Sequence, residues 1–137
     1  MFAGEVDLNT WYKPKIDKKT LKELSKRSDS KGLIDISVFI VALLLSGYLC
    51  VVSWGTLWSI PALLLYGNIF YCKIISIQHE TNHETYFKTR ALNKFFYHIT
   101  SLLGGFEAVR WKWSHFHHHT YTIFTHEEVY DYENNSP

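Results

Sequence analysis

The feature that most constrains this chain is an apolar stretch that runs from residue 32 to residue 77. The stretch contains only two charged side chains, Asp35 near its beginning and Lys73 near its end, whereas the sequence on either side is polar and charged. About 20 apolar residues are needed for a helix to cross the hydrocarbon core of a membrane. The stretch therefore predicts two membrane-spanning helices, over about residues 33–53 and 57–77, and not a globular domain with a dispersed core.

The distribution of basic residues predicts how this helical hairpin is oriented. Eight Lys and Arg residues precede the first predicted span and five follow the second, while the segment between the spans has none. Short segments rich in Lys and Arg stay on the cytoplasmic side of a membrane. We therefore expect an integral membrane protein with both termini, and the sequence that follows the second span, in the cytoplasm.

Helical segments are also predicted outside the hairpin. Residues 1–31 form a basic cytoplasmic arm, in which the capping-box pattern of Thr20 and Glu23 predicts a short helix from about Thr20 to Arg27. Between residues 91 and 103, apolar side chains recur with helical spacing on one face. This segment is too short and too polar to span, so we expect it to lie at the membrane interface. The chain is thus predicted to be an all-α membrane protein.

Two histidine clusters follow the apolar stretch. His79 and His83 are four residues apart, so they share one face if the second helix continues past residue 77. Three histidines of the second cluster share a face as well, because they stand at positions i, i+3 and i+4, whereas His117 lies off that face. Imidazole suits iron, copper, zinc and nickel, and converging imidazoles without a metal would lack partners. We therefore predict five metal ligands: His79, His83, His115, His118 and His119.

The first cluster also fits the signature of a zinc metalloprotease. The segment from His79 to His83 has the form H-E-x-x-H, in which Glu80 would act as general base. A catalytic zinc site needs one further ligand and an open coordination position. Three additional histidines exceed that need, so the protease is the weaker hypothesis. Isolated histidines such as His98 and His126 carry no metal-binding signal.

Two segments of the chain resemble the histidine boxes of the membrane fatty acid desaturases. His79 and His83, with three residues between them, resemble the first box. The second box, HxxHH with a preceding Arg-Trp pair and a trailing threonine, resembles the run from Arg110 to Thr122, RWKWSHFHHHTYT. The segment from His83 to Arg90 also resembles the sequence after the first box in a bacterial-type branch of the family.

The resemblance extends from about Trp11 onward, and residues 32–137 are expected to form a partial desaturase domain. In this family the boxes hold two non-haem irons, which use O2 to introduce a double bond into a fatty acyl chain. The resemblance therefore implies iron as the cofactor and the five histidines as its ligands. It also implies a membrane lipid environment, a fatty acyl substrate, and electrons from a donor such as ferredoxin or cytochrome b5.

One part of such a site has no counterpart in this sequence. The desaturases have a third HxxHH box beyond a second pair of spans, and no such pattern follows His119. We therefore expect a desaturase fragment that is inactive alone. A fragment of a lipid or alkane hydroxylase, of a carotenoid oxygenase, or a non-catalytic membrane metal-binding protein stays open as an alternative. The formal net charge of +1 produces no strong field, so no nucleic-acid partner is expected.

Overall fold

The computed structural model of the protein describes residues 15–121 and the backbone of residues 125–126 and 129–130. Within these residues the regular secondary structure is helical, apart from one antiparallel pair of two-residue strands. The elements are α1 (Lys18–Leu24), α2 (Asp29–Val52), α3 (Ser59–Asn82), α4 (Arg90–Gly104), α5 (Ala108–Tyr121), β1 (Thr125–His126) and β2 (Val129–Tyr130). The predicted all-α class is confirmed. Residues 1–14 of the predicted basic arm lie outside the described residues.

Helices α2 and α3 form the predicted hairpin. Each has 24 residues and is long and apolar enough to cross a membrane. Helix α2 begins at Asp29, earlier than predicted, because the Ser28 hydroxyl caps it by accepting a hydrogen bond from the Lys31 amide at 3.4 Å. Helix α3 continues beyond the predicted end at residue 77 as far as Asn82. This extension places His79 on the same helix as the second apolar span.

Helix α1 lies where a short helix was predicted, with different ends. It begins at Lys18 because Asp17, and not Thr20, is its cap: the Asp17 carboxylate accepts a hydrogen bond from the Thr20 amide at 3.0 Å. Aspartate is among the residues that favour this position, since its side-chain oxygen satisfies a free amide of the first turn. The helix ends at Leu24, before the predicted end near Arg27.

Helix α4 packs against α3 through a face that is mostly polar. The buried residues of α4 are Asn93, Tyr97, Thr100 and Ser101. Large hydrophobic side chains on the same helix are exposed: Phe95, Ile99, Leu102 and Leu103. The helix therefore has the two unlike faces that were predicted for residues 91–103. It ends at Gly104 and is capped by Gly105, whose φ of 74° is in the left-handed region that glycine adopts at low cost.

The loop between α3 and α4 is held against the start of α2. The ring of Phe87 is fully buried in a small core formed by α2, α3 and α4. Its backbone is held by Asn93, which accepts a hydrogen bond from the Phe87 amide at 3.0 Å and donates one to its carbonyl oxygen at 2.9 Å. The amide and hydroxyl of Thr89 donate to the carboxylate of Asp29 at 2.8 and 2.7 Å. These contacts fix the end of α3 relative to α2.

Candidate metal centre

Four imidazole side chains meet at the end of α3 that is remote from the hairpin turn. His79 lies in the last turn of α3, and His83 is the residue that caps its C-terminus. His115 and His119 stand one turn apart on α5. One ring nitrogen from each of these four residues lies within 4.8 Å of the other three. The structure thus brings the two histidine clusters together, with four of the five predicted ligands in one group.

One ring nitrogen of this group makes more close contacts than hydrogen bonding alone explains. The Nε2 atom of His115 lies 3.0 Å from the Nε2 of His83 and 3.0 Å from the Nε2 of His119. A ring nitrogen offers either one N–H or one lone pair, so only one of these two contacts can be a well-formed hydrogen bond. Two nitrogens bound to one ion at about 2.1 Å would lie about 3.0 Å apart in octahedral coordination and about 3.4 Å apart in tetrahedral coordination. The donor set therefore fits a metal ion.

The surroundings of His83 favour the form that binds a metal. Partial desolvation is the largest cause that lowers the pKa of His83 from 6.5, and the nearby rings of His79, His115 and His119 lower it further. Positive charge on one of these rings disfavours positive charge on the next. The neutral imidazole, which is the ligand form, is therefore favoured at His83.

An aromatic ring covers one member of the group. Trp111 stacks on His115 with the ring centroids 4.5 Å apart and the planes inclined by 14°, and only 5% of His115 is exposed. The hydroxyl of Tyr97 donates a hydrogen bond to the carbonyl oxygen of Ala108 at 2.5 Å, which attaches the start of α5 to α4. The sequence pattern predicted neither role. The four-residue spacing from Trp111 to His115 was the available signal, because such residues meet on one helix face.

The remaining histidines of the described residues lie outside this group. The ring of His118 lies against that of His115 with centroids 6.0 Å apart, but His118 is not among the four residues whose nitrogens converge. Its assignment as a ligand stays a prediction. His117 is exposed, and His98 is exposed on α4.

The same geometry bears on the zinc protease hypothesis. Glu80 is engaged by Thr85, whose hydroxyl donates to its Oε2 atom at 2.6 Å. The α5 histidines stand directly beside His79 and His83. Four imidazoles exceed the three protein ligands of a catalytic zinc site that keeps a position open for water. The arrangement therefore disfavours a protease.

Comparison with known proteins assigns the chain to a family. The family model for fatty acid desaturase matches residues 58–136, which is more than half of the 137 residues and includes both histidine clusters. No match was found among curated proteins or among solved structures. The chain therefore belongs to the fatty acid desaturase family.

Proposed function

We propose that this chain carries part of the iron site of a membrane fatty acid desaturase, which uses O2 to introduce a double bond into a fatty acyl chain. The observation that carries the proposal is the convergence of four imidazoles in a chain of this family. His118 is proposed as a fifth ligand because of the HxxHH spacing. Residues 32–137 would form part of the desaturase domain, and residues 1–31 its basic cytoplasmic arm.

The two long apolar helices support a position in the membrane. The segment between them has no Lys or Arg, whereas the segments before α2 and after α3 are basic. We therefore place the histidine site and both termini on the cytoplasmic side, with the exposed apolar face of α4 at the membrane interface. A tag on either terminus should be accessible from the cytoplasm, and a tag found on the outer side would contradict this orientation.

The side chains of this protein prepare the site in two ways. The lowered pKa of His83 keeps its ring neutral and available as a ligand. Trp111 covers one face of the His115 ring and keeps water from it. Bound iron would supply the capacity to activate O2 and oxidise an unactivated C–H bond, with electrons from a donor such as ferredoxin or cytochrome b5.

The chain by itself is proposed to bind iron without oxidising a lipid. Its sequence contains two clusters with the spacing of histidine boxes and no third HxxHH pattern. A non-catalytic membrane metal-binding protein would behave in the same way when tested alone. The two possibilities differ when a second polypeptide that contains a third box is present, because only a desaturase would then form a product.

Iron binding is the first test of the proposal. The purified chain, titrated with Fe2+ in the absence of oxygen, should bind iron. Alanine at any of the four converging histidines, or at His118, should reduce the amount bound. The control is His98→Ala, which should leave binding unchanged. Equal losses in this control and in the ligand variants would contradict the ligand assignment.

Lipid analysis is the second test. The chain is co-expressed with a polypeptide that supplies the third box, and the fatty acyl chains of the host are examined for new groups. An alkene supports the desaturase, and an alcohol supports the related hydroxylase. No product, together with stoichiometric iron, favours the non-catalytic metal-binding protein. A His83→Ala variant in the same host shows whether any product depends on the site.

A further inference from the structure

The carboxylate of Glu80 faces the Nδ1 atom of the His79 ring. The Oε1 atom of Glu80 lies 3.6 Å from the Nδ1 atom of His79. This separation is longer than a hydrogen bond, and it leaves Oε1 of Glu80 as the carboxylate oxygen next to Nδ1 while Oε2 contacts Thr85. Glu80 thus lies between the proposed ligands His79 and His83 in the sequence and next to His79 in space.

Glu80 is itself held in place by the turn that ends α3. The hydroxyl of Thr85 lies 2.6 Å from Oε2 of Glu80, and the amide of Thr85 donates to the Glu80 carbonyl oxygen at 3.0 Å. The amide of Glu84 donates to the carbonyl oxygen of Thr81 at 3.1 Å. These two backbone bonds are those of a Schellman turn, in which the residue after the cap has a left-handed conformation.

The residue in that left-handed position is Glu84, with a φ of 56°. Within the described residues it is the one non-glycine residue with a positive φ. Glycine usually occupies this position, because a side chain there costs free energy. The strained turn brings Thr85 back over Glu80, so the position of the carboxylate depends on the fold and not on a free rotamer.

Such a carboxylate can determine which nitrogen of an imidazole is available to a metal. A neutral imidazole carries its proton on one nitrogen and offers the other as a ligand. An acceptor at Nδ1 keeps the proton there, leaves the lone pair on Nε2, and fixes the plane of the ring. His83, His115 and His119 already approach one another through their Nε2 atoms.

We propose that Glu80 is a positioning residue for His79: it accepts the Nδ1–H proton of that ring in a hydrogen bond and presents its Nε2 to the ion, while Thr85 holds the carboxylate. The inference rests on the proposed metal site and deepens it. The glutamate of the H-E-x-x-H segment thereby gains a role that differs from the general base of a protease.

Cobalt binding to the full chain in detergent micelles tests the proposal, with Co2+ as the probe. Glu80→Ala should weaken Co2+ binding by about 10- to 100-fold, the usual effect of losing such a partner. Glu80→Gln should weaken it less, because the amide oxygen still accepts a hydrogen bond. The matched control is Glu84→Gln, which removes a carboxylate four residues later that contacts Arg90 at 2.8 Å and no imidazole; it should bind as the parent does.

A double-mutant cycle separates positioning from a general effect on the fold. In a His79→Ala background the Glu80→Ala substitution should change Co2+ binding by less than about threefold, since the ring that it positions is gone. An equal loss in both backgrounds would overturn the proposal. So would Glu80→Ala binding as tightly as the parent.

The proton on His79 provides a readout that needs no metal. In the metal-free chain with 15N-labelled histidine, the nuclear magnetic resonance signals of the His79 ring should report the proton on Nδ1, and Glu80→Ala should shift it toward a mixture of the two forms. An unchanged ring in Glu80→Ala would overturn the proposal. If the parent chain bound no Co2+, the proposed metal site would fail, and the labelled ring would still decide whether Glu80 controls His79.

Discussion

The ammonium group of Lys73 lies 2.6 Å from the carboxylate of Asp35, and this ion pair joins α3 to α2. The hydroxyl of Tyr86, in the loop after α3, donates a hydrogen bond to the same carboxylate. The two charged side chains of the long apolar stretch are therefore partners of each other. They connect the hairpin to the loop that follows His83.

Removing one member of this pair should destabilise the hairpin more than removing both. Asp35→Asn or Lys73→Met alone leaves a charge in apolar surroundings, and we expect each to cost about 1–3 kcal/mol, since the side chains are only partly exposed. The double variant should cost less than the sum of the two. Unfolding of the four proteins in detergent micelles measures this coupling. Strictly additive losses would show that the pair does not stabilise the hairpin.

A side chain at Gly32 should destabilise the fold, because Phe87 occupies the space beside this residue. A Cβ atom at Gly32 would lie 2.6 Å from the Phe87 ring and 3.2 Å from the carbonyl oxygen of Tyr86. We expect Gly32→Ala to lower the free energy of unfolding by about 1–3 kcal/mol. The control is Gly67→Ala on α3, where a Cβ would meet no atom within 4 Å. That variant should be as stable as the parent or slightly more stable, and equal losses at both positions would contradict the packing described.

Glu84→Gly should stabilise the protein by about 1 kcal/mol, because glycine adopts the positive φ of 56° without the steric cost. The substitution also removes the ion pair with Arg90, whose side chain is 80% exposed, and such exposed pairs contribute little. Glu84→Ala removes the same ion pair without relieving the backbone, so it serves as the reference in thermal unfolding. A glycine variant no more stable than the alanine variant would show that the turn stores no strain.

Acid should destabilise the metal-free protein partly through His83. Its pKa is lower in the folded protein than the ordinary value of 6.5, so below pH 6.5 the unfolded chain binds a proton that the folded chain does not. Stability should fall as the pH drops below 6.5, and this loss should stop growing once the pH passes the lowered folded pKa. Unfolding free energies measured on both sides of pH 6.5 check this. His83→Gln should show a shallower dependence, and an identical dependence would refute the assignment.

The hairpin and the two faces of histidines could be predicted because they depend on local properties. The length of the apolar stretch determines how many helices it can form, and a separation of four residues places His79 near His83 on any helix. The ends of α1 and α2 were predicted less well, because Asp17 and Ser28 compete with neighbouring residues as caps. The order of polar and apolar residues does not show which of several neighbouring residues caps a helix.

The contacts between distant segments could not be predicted in this way. The pairing of Asp35 with Lys73 depends on how α2 and α3 are aligned, and this alignment follows from side-chain packing along both helices. The stacking of Trp111 on His115 can be anticipated from spacing, but the approach of α5 to the end of α3 depends on α4 and its left-handed end at Gly105. Glu80 was noticed only as part of a protease signature, because its partner Thr85 reaches it through a turn with unusual backbone geometry.

The close approach of the His83 and His115 rings affects how helix α5 is held against the end of α3. Helix α5 is attached to α4 at its start by Tyr97, and it meets α3 through the imidazoles and Trp111. An ion shared by His83 and His115 would cross-link residues that are 32 positions apart. In the chain-entropy description of cross-links, closing a loop of this size contributes about 3–4 kcal/mol. A metal would therefore act on this fold as a disulfide does, and its removal would withdraw this contribution from the packing of α5 against the end of α3 while leaving the hairpin intact.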